Sequence, residues 1–219
     1  SALERFEAEV SRPDGEIDLA RAAALLALHA DPAMDVEARV LQPLAELQER
    51  FRERLAAGTD WGAGAEDELL APFVLQRRVQ VLCDFMSGRG FSGCEQRDES
   101  YYDARNSRMD QVLERRTGIP ITLSLAYMQV GRAGGIELQG VAFPGHFLLG
   151  FGRGEGAGLL DAYSNRIVNE DEAALLLAGV FGRPVRIDPG WRSMPRLPNA
   201  AFLLRMVRNL QNVYERDGN

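Results

Sequence analysis

Apolar residues at Val36, Val40, Leu44, Leu47, Phe51 and Leu55 recur every three or four positions, the spacing that lines one face of a helix. Asp35 stands where the N-cap belongs and Gly58 where the helix stops. Residues 17–30 predict a second helix closed by Asp31-Pro32, and residues 66–86 a third, with Pro72 confined to its first turn. The first 87 residues thus predict a packed helical layer. From Ser87 the pattern breaks, because SGRGFSGC is glycine-rich and QRDESYYDARNS is polar, a long connection of the kind that carries function. Ser107 and Asp110 then form a capping-box pattern opening a short helix through Arg116, ended by Gly118.

Pro120 suits the first turn of a further helix in which Ile121, Leu123, Leu125, Ala126, Met128 and Val130 are apolar on nearly every side, as far as Gly134-Gly135. Such a helix belongs at the centre of a fold. Residues 136–143, 146–151 and 159–163 are short apolar runs bounded by Pro144-Gly145 and by GRGEGAG, which predicts an antiparallel meander. Asn169 caps another helix with Glu170, Asp171 and Glu172 in its first turn; residues 184–198 are irregular; Phe202, Met206, Leu210 and Val213 stripe a last helix. The expected class is α+β, a buried central helix on a short antiparallel sheet. The expected parts are helices over 1–87, a core over 88–190 and a C-terminal helix within 191–219.

Composition narrows the function. With 46% hydrophobic residues on 219, the chain holds enough apolar side chains for a full core, and its longest apolar stretches fall far short of a membrane span. The first ten residues carry three glutamates and neither the basic start nor the apolar run of a secretory signal, so the expected location is cytoplasmic. A net charge of −7 disfavours nucleic acid and anionic membranes, and the pairs Arg77-Arg78 and Arg115-Arg116 are too isolated to reverse that. All 25 basic residues are arginine, which excludes lysine nucleophiles and Schiff bases. Cys83 and Cys94, with His29 and His146, give no metal-site or disulfide-framework pattern, and no cofactor is expected.

His146 follows a Pro-Gly turn at the start of one apolar run, and Asp161 lies within the next, so adjacent antiparallel strands can bring imidazole and carboxylate together. That is either the base and orienter of a triad or a pair that only holds the sheet. The matching nucleophile belongs in the first turns of the central helix, where Thr122 and Ser124 stand; small hydroxyls there also serve backbone groups. Cys94 is the better intrinsic nucleophile but sits in a loop, Cys83 reads as core, and His29 as a partner of its helix C-terminus.

Asn106-Ser107, Leu113-Glu114-Arg115-Arg116, Gly118-Ile119-Pro120 and Phe143-Pro144-Gly145-His146-Phe147, standing in that order, resemble the bacterial SirB family, first-member type, of the transglutaminase-like superfamily. The resemblance covers most of the chain. It implies a papain-like core in which His146 and Asp161 match the histidine and aspartate strands, while the superfamily cysteine falls at or beside Pro120. Proline has neither a nucleophilic atom nor an amide N–H. Asp161-Ala162-Tyr163-Ser164-Asn165 also departs from the family's Asp-Pro-Phe followed by glycines. Tetratricopeptide repeats usually follow in the family and are not in this sequence, which suits a trimmed or short member.

Three readings follow. The first is a degenerate transglutaminase-like binding or regulatory module for a protein or peptide, its cleft framed by Asn106, Arg115, Arg116 and Pro120 with His146 and Asp161. The second is a hydrolase or acyl transferase using Ser124 or Thr122 with His146 and Asp161. The third is a structural platform for C-terminal repeats.

Overall fold

Asp35 opens its helix as the sequence predicts: its carboxylate accepts from Glu37 N at 3.0 Å and Ala38 N at 3.1 Å. A wide π turn, Glu37–Leu41, then leads into α3, Gln42–Ala56. Before it lie α1, Ala2–Val10, closed by a Ser1/Glu4 capping box, and α2, Leu19–Ala27, capped by Asp18. The computed structural model describes residues 1–58, 70–94, 99–141, 143–187, 196–216 and 218. The predicted helix start at Glu66 lies outside them; α4 spans Ala71–Gly88 with Pro72 in its first turn. No helix among the described residues is long and apolar enough to cross a membrane.

Two short strands follow, β1, Ser92–Gly93, and β2, Thr117–Gly118, paired in parallel. Between them run two 3₁₀ turns, Glu99–Tyr102 and Ala104–Ser107, and α5, Met109–Arg115. The predicted capping box does not form. Ser107 closes a 3₁₀ turn, and Asp110 is drawn instead to Arg108 at 2.8 Å. Nor does Gly118 end the helix. Arg116 does, at φ 59°, and its carbonyl accepts from Ser92 N, which starts the strand pairing two residues earlier than glycine placement suggests.

The central helix α6, Pro120–Ala133, has Pro120 as its first residue and Gly134 as its C-cap. The meander has four antiparallel strands in the order β3 (Gln139–Val141), β4 (Leu148–Phe151), β5 (Gly158–Asp161) and β6 (Arg166–Val168). β6 escapes a sequence reading because three residues led by an exposed arginine carry no alternation signal. Asn169 caps α7, Glu170–Phe181, with the full capping box, and α8 spans Asn199–Arg216. Of the predicted irregular stretch, residues 188–195 lie outside the described set.

Side-chain alternation divides the sheet. Phe147, Leu149, Phe151 and Leu160 join the large core with α6, whereas Val141, Leu148, Leu159 and Val168 form a smaller cluster with Ala173 of α7. The large core draws on α2, α3, α4, α6 and α8 together, from Ile17 to Met206. The fold is therefore α+β, with the helical layer and the sheet both packed on α6.

Candidate functional site

The N-terminal end of α6 gathers several of the predicted residues. Thr122 Oγ1 donates to Asn106 O at 2.8 Å and is 3.1 Å from Ile119 O. Asn106 is fully buried; its Oδ1 accepts from Arg115 Nη1 at 3.1 Å, and its carbonyl also takes Ile119 N at 3.3 Å. Asn106, Arg115 and Thr122 thus form one constellation in which the 3₁₀ turn is tied to the start of the helix, where Pro120 is the first residue. Arg116 lies outside it, because its left-handed backbone turns the side chain to Arg89 O at 2.6 Å. The small parallel sheet delivers one more group, since Cys94 N donates to Gly118 O at 3.2 Å and Tyr163 Oη donates to Cys94 Sγ at 4.0 Å. Gly93 makes that approach feasible: a Cβ there would sit 2.4 Å from the Tyr163 ring.

His146 and Asp161 are not brought together. Asp161 Oδ1 accepts from Tyr163 N at 2.9 Å and Ser164 N at 3.3 Å, closing the β5–β6 turn on itself. The register Leu149↔Leu160 continues to Leu148 opposite Asp161, two residues past His146, which lies in a turn where its N–H donates to Phe143 O at 3.1 Å. No hydrogen bond or ion pair joins the two among the described residues. The direct facing expected from their separation is corrected by this offset. Ser124 shares a helix face with Pro120 and Tyr127, is fully buried, and its Oγ has no partner among the described residues. Tyr127 donates to Asn165 Oδ1, and Asn165 Nδ2 donates to Phe91 O at 2.8 Å, which locks the β5–β6 turn between α6 and the start of β1. His29 does serve its helix end, with Nδ1 2.7 Å from Leu26 O, and also meets Tyr214 Oη at 2.5 Å.

A family model described as the transglutaminase-like superfamily matches residues 38–208. The chain belongs to the transglutaminase-like superfamily. It is similar to the UPF0162 proteins, a bacterial SirB-type family: 36% identical over 130 residues to that of Xylella fastidiosa, covering 57% of this chain and 44% of that one. To the Pseudomonas aeruginosa UPF0162 protein it is 30% identical over 175 residues, 80% of this chain and 58% of that one. A segment of 63 residues is 51% identical to F-box only protein 21 of Mus musculus, 29% of this chain and 10% of that one. The chain spans about half the length of the curated UPF0162 relatives it matches. No solved structure matches it.

In this transglutaminase-like domain both thiols are held neutral. Burial, reinforced by the Asp84 and Asp161 carboxylates, pushes the Cys83 thiol up to about 12, and burial raises Cys94 against the hydrogen bond from Tyr163. Burial likewise raises the Tyr127 and Tyr163 phenols, while the Arg105 side chain holds Asp103 below the usual carboxylate range. Among the described residues no cluster of His, Cys, Asp and Glu could hold a metal. Because the native state keeps the Cys83 proton more tightly than an unfolded chain titrating near 9.0, stability is undiminished below that pH and falls as pH rises toward about 12. Urea unfolding across that window checks this, and Cys83→Ala is expected to flatten the slope by up to about 1.4 kcal/mol per pH unit.

The contributions of Tyr163 and Asn165 could not be read from spacing, since both act through a turn docked some seventy residues away, against Gly93, Cys94 and Phe91. The available signal was the polar YYDARNS string, which supplies Tyr101 and Asn106: Asn106 Nδ2 donates to Tyr101 O at 3.4 Å.

Proposed function

We propose that this domain acts as a binding or regulatory module for a protein or peptide, with Pro120 in the place where the superfamily resemblance puts the nucleophilic cysteine. The observation that carries this reading is the burial of both hydroxyls in the first turns of α6: Thr122 and Ser124 are each 0% exposed, and Thr122 is committed to backbone carbonyls. A nucleophile must meet substrate and base at once. Neither hydroxyl is bonded to His146, and the Asp161 carboxylate is spent on its own turn. What this end of α6 does offer is an exposed cation. Arg115 is exposed, is steadied on one nitrogen by Asn106, and keeps its other donors for a carboxylate or a similar acidic group.

The test is labelling with a fluorophosphonate probe, read by intact-protein mass. No adduct is expected on the wild-type chain at neutral pH after prolonged incubation. An adduct that disappears in Ser124→Ala or Thr122→Ala would overturn the binding reading in favour of a hydrolase or acyl transferase using His146 and Asp161.

A further inference from the structure

The helix α7 is apolar on every side and yet lies on the surface. From Ala173 to its Gly182 cap it carries no charged residue, but three leucines, a valine and a phenylalanine. A helix of that composition ordinarily belongs in an interior. Here only Ala173 is fully buried. Leu176 and Leu177 are half-buried against the smaller cluster of the sheet, while Leu175 is 72%, Phe181 52% and Val180 45% exposed. Asp171, Leu175, Gly179 and Gly182, spaced by four, four and three, are exposed along the outward face. Contiguous apolar surface of this kind marks a place where another chain packs.

The charges at its two ends indicate which chain that is. Glu170, Asp171 and Glu172 stand in the first turn, and Arg183 and Arg186 follow the last. Glu172 is already engaged, by Arg166 at 2.6 Å and by Asn169 N at 2.9 Å. Asp171, Arg183 and Arg186 are exposed and form no ion pair among the described residues. An apolar middle with acid at one end and base at the other is complementary to itself run in the opposite direction, whereas a uniformly acidic or uniformly basic partner meets repulsion at one end. About a two-fold axis at the level of Leu177, the antiparallel register that opposes Asp171 to Arg183 also opposes Leu175 to Gly179. A Cβ on Gly179 would meet nothing within 4 Å, so the space above it is open to a leucine side chain.

We propose that α7 is a dimerisation surface whose occupant is α7 of a second copy of this chain, packed antiparallel, with Leu175 of each copy over Gly179 of the other and Asp171 of each facing Arg183 of the other. The apolar middle supplies the affinity, and the two ion pairs fix direction and register. With one helix contributed by each copy, the dimer belongs among weak, reversible assemblies. Because α7 packs on the sheet face turned away from α6, the inference stands independently of the binding-module reading.

The test is sedimentation velocity of the full chain across roughly 10 µM to 1 mM, where a reversible monomer–dimer equilibrium is expected. Leu175→Glu is expected to leave a monomer throughout that range. Asp171→Arg and Arg183→Asp are each expected to weaken the homodimer about tenfold or more, since two like-charged pairs replace two opposite ones. Mixed in equal amounts, these two variants are expected to associate as tightly as the wild type, because every facing pair is then opposite in charge. A wild-type chain that stays monomeric, a dimer that survives Leu175→Glu, or charge variants that fail to rescue one another on mixing would each overturn the proposal. All three side chains are exposed, so their replacement leaves the fold intact, which an unchanged urea midpoint verifies.

Discussion

Asp110→Ala is expected to destabilise the protein by about 3–5 kcal/mol, lowering the midpoint of thermal unfolding by roughly 10 °C. The carboxylate side chain is 2% exposed and accepts from Arg108 Nη2 at 2.8 Å, Arg108 Nε at 3.3 Å and Gln111 Nε2 at 3.1 Å. Alanine removes all three bonds at once and leaves the Arg108 guanidinium, itself only 15% exposed, without its counter-charge. Most of the loss comes from that stranded cation rather than from the attraction between the partners. The double replacement Arg108→Met/Asp110→Leu is therefore expected to recover most of the stability, since it buries two apolar groups and strands neither charge. Urea unfolding of the wild type and the single and double variants checks both statements. A loss below about 1 kcal/mol in Asp110→Ala would mean that the pair is solvated and behaves like a surface bridge. The consequence reaches the candidate site, because α5 also carries Arg115, the donor that steadies Asn106.

Phe51→Ala is expected to cost a comparable amount, about 3–5 kcal/mol, through the cavity it leaves between α3, α4 and α6. Phe51 is fully buried, its ring centroid is 5.3 Å from that of Phe85 in α4, and it presses on the end of α6 so closely that a Cβ on Gly134 would come within 2.6 Å of the ring. That contact gives a sharper test than the single variant. Gly134→Ala alone is expected to destabilise by about 1–3 kcal/mol through overpacking against Leu55 Cδ1 at 2.5 Å and the Phe51 ring, and in the Phe51→Ala background, where only the flexible Leu55 end must still move, the penalty shrinks. A double-mutant cycle measured by urea unfolding reads the coupling directly. Additive effects would show that the helical layer and α6 do not press on one another there.

These two residues also show what a single sequence can and cannot disclose. The stripe containing Phe51, the Pro120 start of α6, the Asn169 cap and the punctuation of the meander were all legible, because each depends on neighbours within a turn or two of helix or one strand. Asp110 was misassigned for the same reason: a serine three residues before it makes a capping box locally, yet burial against the rest of the fold made pairing with Arg108 the better use of the carboxylate. Likewise His146 and Asp161 have the separation of a facing pair, but the register of β4 and β5 offsets them by two residues. Sequence spacing limits which residues can meet and leaves the offset free; the packing of each sheet face fixes it.

By itself, then, the sequence determined the class of fold, the central helix, the absence of lysine chemistry and the place of proline at the first residue of α6, since these follow from composition, periodicity and local backbone preference. Tertiary structure alone decided which side chains share a site. The joining of Asn106 to Thr122, the docking of Tyr163 over Gly93 beside Cys94, and the bond from Leu197 N to Gly140 O at the edge of β3 each arise from contacts between segments far apart in the chain. Their geometry is set by how whole helices and strands bury their apolar faces together, a collective constraint that no local pattern contains.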